Sequence, residues 1–228
     1  MTPFELTDWP CPAPDGGRHD ELALVFDRAR AQRVLVLPAW FDEANKLRRQ
    51  TVEVMRRLDL SGIDSVLPDF PGCNESPAPL AEQTLGTWRE AARAATGHFH
   101  ATHVLTVRAG ALLAPGGMPG WRYAPASGAR VLRSLLRART IASREAGHAE
   151  RTEDLQALAR QEGIELAGWR IGAAMFSALE DAEPATDLVE IEQSMLGGPG
   201  LWLRAEPDED PEQADALAAL IAIQVGGA

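Results

Sequence analysis

Residues 103–114, His-Val-Leu-Thr-Val-Arg-Ala-Gly-Ala-Leu-Leu-Ala, read as a buried strand, an abrupt turn with a glycine, and a short apolar helix. That succession is the setting in which the pattern G-x-S-x-G presents a serine nucleophile. On that spacing Thr106 stands at the first glycine, Arg108 at the serine and Gly110 at the last glycine. A guanidinium stays protonated at ordinary pH and cannot attack a carbonyl. The place of a nucleophile is therefore taken by a fixed positive charge.

No other residue restores the missing chemistry by spacing. A serine triad of this type needs an acid and then a late histidine, yet the five histidines are His19, His98, His100, His103 and His148, with none in the last 80 residues. Cys73, Ser76 and Ser127 lie in loops that approach the ligand-binding edge of a parallel sheet. Nothing in the sequence lowers the Cys73 pKa or sets a histidine beside it. His98-x-His100-x-x-His103 has ligands that suit zinc, but it flanks a helix end and a strand entry, the edge opposite the expected crevice. No metal and no cofactor is expected.

What converges on that crevice is polar. Glu43, Asn45 and Lys46 open the helix after the strand at 33–38, Asp69 follows the next strand, and Arg108 sits between them. In one reading Asp69 or Glu43 neutralises a buried Arg108. In the other, Arg108 grips a ligand carboxylate or phosphate, with the Ala109 N–H and a backbone N–H near Trp40 completing an anion pocket. Trp40 and Phe41 are candidate walls of that pocket. Arg48 and Arg49 are expected on the solvent face of their helix.

Composition bounds the rest. With 228 residues and a net charge of −11, the chain suits one domain with a sizeable core and argues against a nucleic-acid binder. Of 22 basic residues only Lys46 is lysine. Two cysteines, no apolar run near the ~20 residues of a membrane helix, and an N-terminus unlike a signal peptide fit a cytoplasmic protein without a membrane span.

Residues 1–20, rich in Pro and Gly, read as an irregular lead-in to one domain over residues 21–228. Strands are predicted at 22–26, 33–38, 63–67, 103–107 and 121–124. Helices are predicted from Leu47, Val54, Met55 and Leu58, which share one face, and at 83–95, 129–147, 152–163 and 211–224. Residues 187–191 and 201–203 are candidate late strands. The alternation argues an α/β fold with a mostly parallel sheet flanked by helices. Arg130, Arg133, Arg137 and Arg144 fall on one helix face, either solvated or a docking surface for an anionic partner.

Residues 38–49, the loop Asp69-Phe70-Pro71-Gly72-Cys73-Asn74-Glu75-Ser76, the arginine-bearing turn at 107–114 and the stretch Ala124-Pro125-Ala126-Ser127-Gly128 together resemble exosortase A system-associated hydrolases of the hydrolase 2 type. Gly198-Pro199-Gly200-Leu201-Trp202 and Glu206 resemble that family's final strand more weakly. The resemblance spans roughly residues 20–220 and implies a single-domain α/β-hydrolase fold, with a small helical cap at 129–165 after the sixth strand. It also implies an association with exosortase-dependent sorting and exopolysaccharide production, and it supplies no substrate. Three functions stay open. One is a non-catalytic protein binding a small anionic molecule or a protein partner of that system. Another is a hydrolase of an ester, thioester or carbohydrate derivative, working through Glu43 or Asp69 and Arg108. The third is a scaffold with an empty crevice.

Overall fold

The computed structural model describes residues 4–14 and 16–226. Strands β1 (Glu5–Pro12) and β2 (Arg18–Phe26) form an antiparallel hairpin. The expected irregular lead-in is thus corrected for most of its length; residues 1–3 and 15 lie outside the described residues. Pro10 and Pro12 suggest a break, but an edge strand tolerates proline. The alternation that makes the strand is carried by Trp9 and Cys11, both fully buried, between more exposed neighbours.

The parallel body comprises β3 (Arg33–Leu37), β4 (Asp64–Pro68), β5 (His103–Val107), β6 (Gly120–Tyr123) and β9 (Val189–Ile191). The sheet order is β1-β2-β4-β3-β5-β6-β9, with β2 antiparallel to β4 and every later pairing parallel. β3 sits centrally and reads as an unbroken apolar run because both of its faces are covered. Val34 and Val36 pack with Leu47, Val54 and Leu58 of α1 (Phe41–Leu60) and with Leu217 and Ile221 of α6 (Pro211–Gly226). Leu35 and Leu37 point the other way, into the layer of Trp88, Ala91 and Ala95 on α2 (Leu85–His98). Helix α2 begins at Thr84, whose side chain accepts from the Thr87 N–H while the Thr87 hydroxyl accepts from the Thr84 N–H.

Between β6 and β9 the chain makes an excursion through α3 (Gly128–Glu145), α4 (Thr152–Glu162), the hairpin β7 (Ile164–Leu166) and β8 (Trp169–Ile171), and α5 (Ala173–Glu180). It is longer than the helical segment read at 129–165. Helix α3 meets α5 so closely that a Cβ on Gly128 would lie 2.1 Å from the Leu179 carbonyl oxygen. The loop after α3 is tied back by Arg139, which donates twice to Glu150 at 2.7 and 2.8 Å, and by the Ser143 hydroxyl on the same carboxylate. These donors hold the Glu150 carboxyl down to about 2.

The late strand read at residues 201–203 is a single 3-10 turn, Leu201–Leu203. Gly197 and Gly198 adopt left-handed φ values of 76° and 65° ahead of it. They turn the chain before it could join the edge at β9. Among the described residues no helix is long and apolar enough to cross a membrane.

Candidate functional site

β5 ends at Val107, and the chain reverses at Arg108 with φ 55° before a 3-10 turn, Arg108–Leu113. A residue with a Cβ rarely adopts that conformation, and it persists only where the surroundings hold it. Two contacts do so here. A Cβ on Gly110 would stand 2.3 Å from the Leu37 carbonyl oxygen and 2.7 Å from that of Pro38, so the turn lies directly on the end of β3. The Arg108 carbonyl accepts from the Ala126 N–H at 3.2 Å, joining the turn to the exit of β6.

The Arg108 side chain is only 3% exposed. Its Nε and Nη2 donate to the two oxygens of Glu43 at 2.9 and 3.0 Å, and Nη1 donates to the Ala124 carbonyl at 2.6 Å. Trp202 covers the guanidinium, 4.1 Å from carbon to ring centre. Planar paired donors, an engaged carboxylate and an aromatic lid are the arrangement in which arginine tolerates burial. Glu43 comes from the first turn of α1, where the helix dipole also favours a carboxylate. Beside it Asp42 pairs with Lys46 at 2.8 Å, and Asn45 is exposed.

Of the two carboxylates that could neutralise Arg108, then, Glu43 does so and Asp69 does not. Asp69 accepts from Arg48 at 3.0 Å and from the Asn74 amide at 2.5 Å, within a separate small cavity between the loops after β3 and β4. Arg48 is therefore not on a purely solvent face, whereas Arg49 is, and it meets Glu209 at 2.5 Å. Trp40 and Phe41 are buried walls: Trp40 packs edge-on against Trp88 at 4.9 Å, and Phe41 against Trp169 at 5.6 Å. Ala109 is buried in the turn itself.

The hydroxyls and thiol are occupied or suppressed. Ser76 donates to Glu21 at 2.8 Å and accepts from the Gly72 N–H at 2.9 Å, fixing its own loop. Ser127 caps α3 through the Arg130 N–H. Burial, with the charges of Asp69 and Glu21 adding to it, pushes the Cys73 thiol from 9.0 up to about 12. Because the folded value is the higher one, the thiol favours the fold below about pH 9 and that contribution is lost as pH rises towards about 12. With its ionisation pushed far above ordinary pH, Cys73 is expected to resist iodoacetamide at about pH 8 in the folded protein; rapid stoichiometric labelling would contradict this assignment. The histidines lie elsewhere. His103 stacks on Trp121 at 5.6 Å at the start of β5, and His98 packs against Phe99 at 4.7 Å.

Above Arg108 opens a cleft of about 430 Å³. Its floor and rim include Trp40, Phe41, Trp202 and Leu203, and its charged lining is Lys46, Arg108, Arg130, Arg133 and Arg137 against Asp42 and Glu43. The two carboxylates are matched by Lys46 and Arg108. Arg130, Arg133 and Arg137 remain exposed, with no carboxylate partner among the described residues. The cleft is thus locally positive on a protein of net charge −11. No periodicity marks Trp202 as the cover of Arg108, and the spacing of the α3 arginines does not connect them to the turn.

No protein-family model matches the sequence, and no curated protein does. Solved structures resemble it over nearly the whole chain. Mouse alpha/beta hydrolase domain-containing protein 10 superposes with a TM-score of 0.54 at 12% identity, covering 98% of this chain and 99% of that one. A protein from Agrobacterium vitis S4, provisionally described as a hydrolase, gives a TM-score of 0.52 at 18% identity, with 98% and 99% covered. At such identities the likeness speaks for architecture and not for activity. With the sheet order, the turn after β5 and the excursion after β6, it establishes that this chain has the α/β-hydrolase fold.

Proposed function

We propose that the protein is a non-catalytic binder built on a hydrolase scaffold, and that its cleft takes a small anionic ligand. The observation that carries this reading is Arg108 at the turn after β5, with Nε, Nη1 and Nη2 all engaged by Glu43 and Ala124. A side chain so committed neither attacks a carbonyl nor turns outward to hold an anion. The free cations of the cleft are those of α3, and they supply the recognition. The resemblance of the loop motifs carries over an association with an exosortase/exopolysaccharide system, from which the ligand or a protein partner would come.

Unconventional hydrolysis finds less support. A general base must reach a substrate proton with a free lone pair. Both Glu43 oxygens face Arg108, and Asp69, buried with Arg48 and Asn74 on one of its oxygens, lies in the separate cavity and not in the cleft over Arg108. The test pairs turnover with binding. Wild-type protein is expected to hydrolyse none of a panel of aryl esters and thioesters, while phenyl phosphate and hexanoate bind at low ionic strength in calorimetry. Arg130→Ala, on the exposed face of α3, is expected to weaken that binding about threefold to tenfold. Turnover abolished by Glu43→Gln would overturn the proposal, as would failure of both anions to bind.

A further inference from the structure

The cleft over Arg108 has a neighbour. A second cavity of about 490 Å³ lies along α3, α4 and α5, lined among others by Leu136, Thr140, Gln156 and Glu180. Both are of the size that takes a small organic ligand. They are not independent, because Arg133 and Arg137 line each of them. Four residues apart on one helix, these arginines are one turn apart, with a rise of about 6 Å; Arg130 extends the row to two turns, about 10 Å.

Charge sets this row apart from its surroundings. Arg139, on the same helix, is neutralised by Glu150 at 2.7 Å, and Arg160 of α4 by Glu180 at 2.7 Å. The Glu180 charge inside the second cavity is therefore already matched. Like charges at i+3 and i+4 destabilise a helix by a few tenths of a kcal/mol per pair, and Arg130, Arg133 and Arg137 carry that cost with no carboxylate among the described residues to relieve it. A bare arginine stripe is by itself an ordinary solvated face. Here it forms the ridge between two ligand-sized hollows, and two of its members reach into both.

We propose that the ligand is an elongated molecule with two anionic groups, lying across α3 with one group in each cavity and shared by Arg133 and Arg137. This rests on the anion-binding reading above and specifies its ligand class. A single compact anion would fill one hollow and leave the other side of the ridge unused. A ligand with one anionic group on either side of the ridge meets Arg133 and Arg137 from both hollows.

The experiment is a calorimetric series at low ionic strength, using α,ω-dicarboxylates from succinate to sebacate and the monocarboxylate of each chain length. Alkane diphosphonates in a parallel arm distinguish carboxylate from phosphate-type head groups. The medium-length dianions are expected to bind at least about fivefold more tightly than their monoanions, with a preference that fades at high salt. In Arg133→Ala/Arg137→Ala, two exposed positions, the ratio of dianion to monoanion affinity is expected to fall to about one. If monoanions bind and no dianion of either series binds more tightly, the dianion proposal is overturned and the simpler anion-binding function stands. If neither class binds, both are overturned.

Discussion

Glu43→Ala is expected to cost the fold about 3–5 kcal/mol, seen as a lowered urea midpoint. Arg108 is 3% exposed and two of its three engaged nitrogens donate to Glu43. Removing one member of a buried pair leaves the other charge uncompensated, and that desolvation sets the magnitude. Glu43 is itself 27% exposed, so water entering the vacated space moderates the loss towards the lower end. The companion variant isolates the cause. In Glu43→Leu/Arg108→Met no charge remains to be orphaned, and stability is expected to return to within about 2 kcal/mol of wild type. A Glu43→Ala loss below about 1 kcal/mol would show that Arg108 is held by Trp202 and the Ala124 carbonyl without needing its carboxylate.

Gly110→Ala is expected to be comparably damaging, by about 3 kcal/mol or more, through shape instead of charge. The added methyl would approach the Leu37 and Pro38 carbonyl oxygens at 2.3 and 2.7 Å. Both are main-chain atoms at the end of β3, a strand held on either side by β4 and β5. Neither can swing aside as a side-chain tip would, so the turn itself must lift. Arg108 begins that turn, and its distance from Glu43 would open with it. Hydrogen exchange across residues 108–113 should therefore accelerate along with the drop in midpoint. An unchanged midpoint would mean that the turn is looser than its geometry indicates.

The difference between these two losses explains what could be read from the sequence. Gly110 was legible because a tight turn between a buried strand and an apolar segment leaves a local mark. The parallel strands were legible for the same kind of reason: Val34–Leu37 is a continuous apolar run, Val104–Val107 is apolar but for Thr106, and α1 repeats its buried positions at helical spacing. The hairpin β1–β2 was missed because Pro10 and Pro12 mask an alternation that needs only Trp9 and Cys11 to bury. The choice of Glu43 over Asp69 was also out of reach. Both follow neighbouring strands, and what separates them is Arg48, which turns inward to take Asp69. Trp202 was invisible because its role depends on a chain reversal at Gly197 and Gly198 and on no local repeat. Long-range partners of single side chains leave no period in a sequence.

The same prolines that hid β1 also settle how the sheet meets its surroundings. An outer strand exposes hydrogen-bonding groups that could recruit another chain, and this one interrupts the row, because Pro10 and Pro12 have no N–H to offer. At the far margin β9 is three residues long, too short to template a ladder. Lateral growth of the sheet therefore meets two missing donors at one border and a three-residue strand at the other.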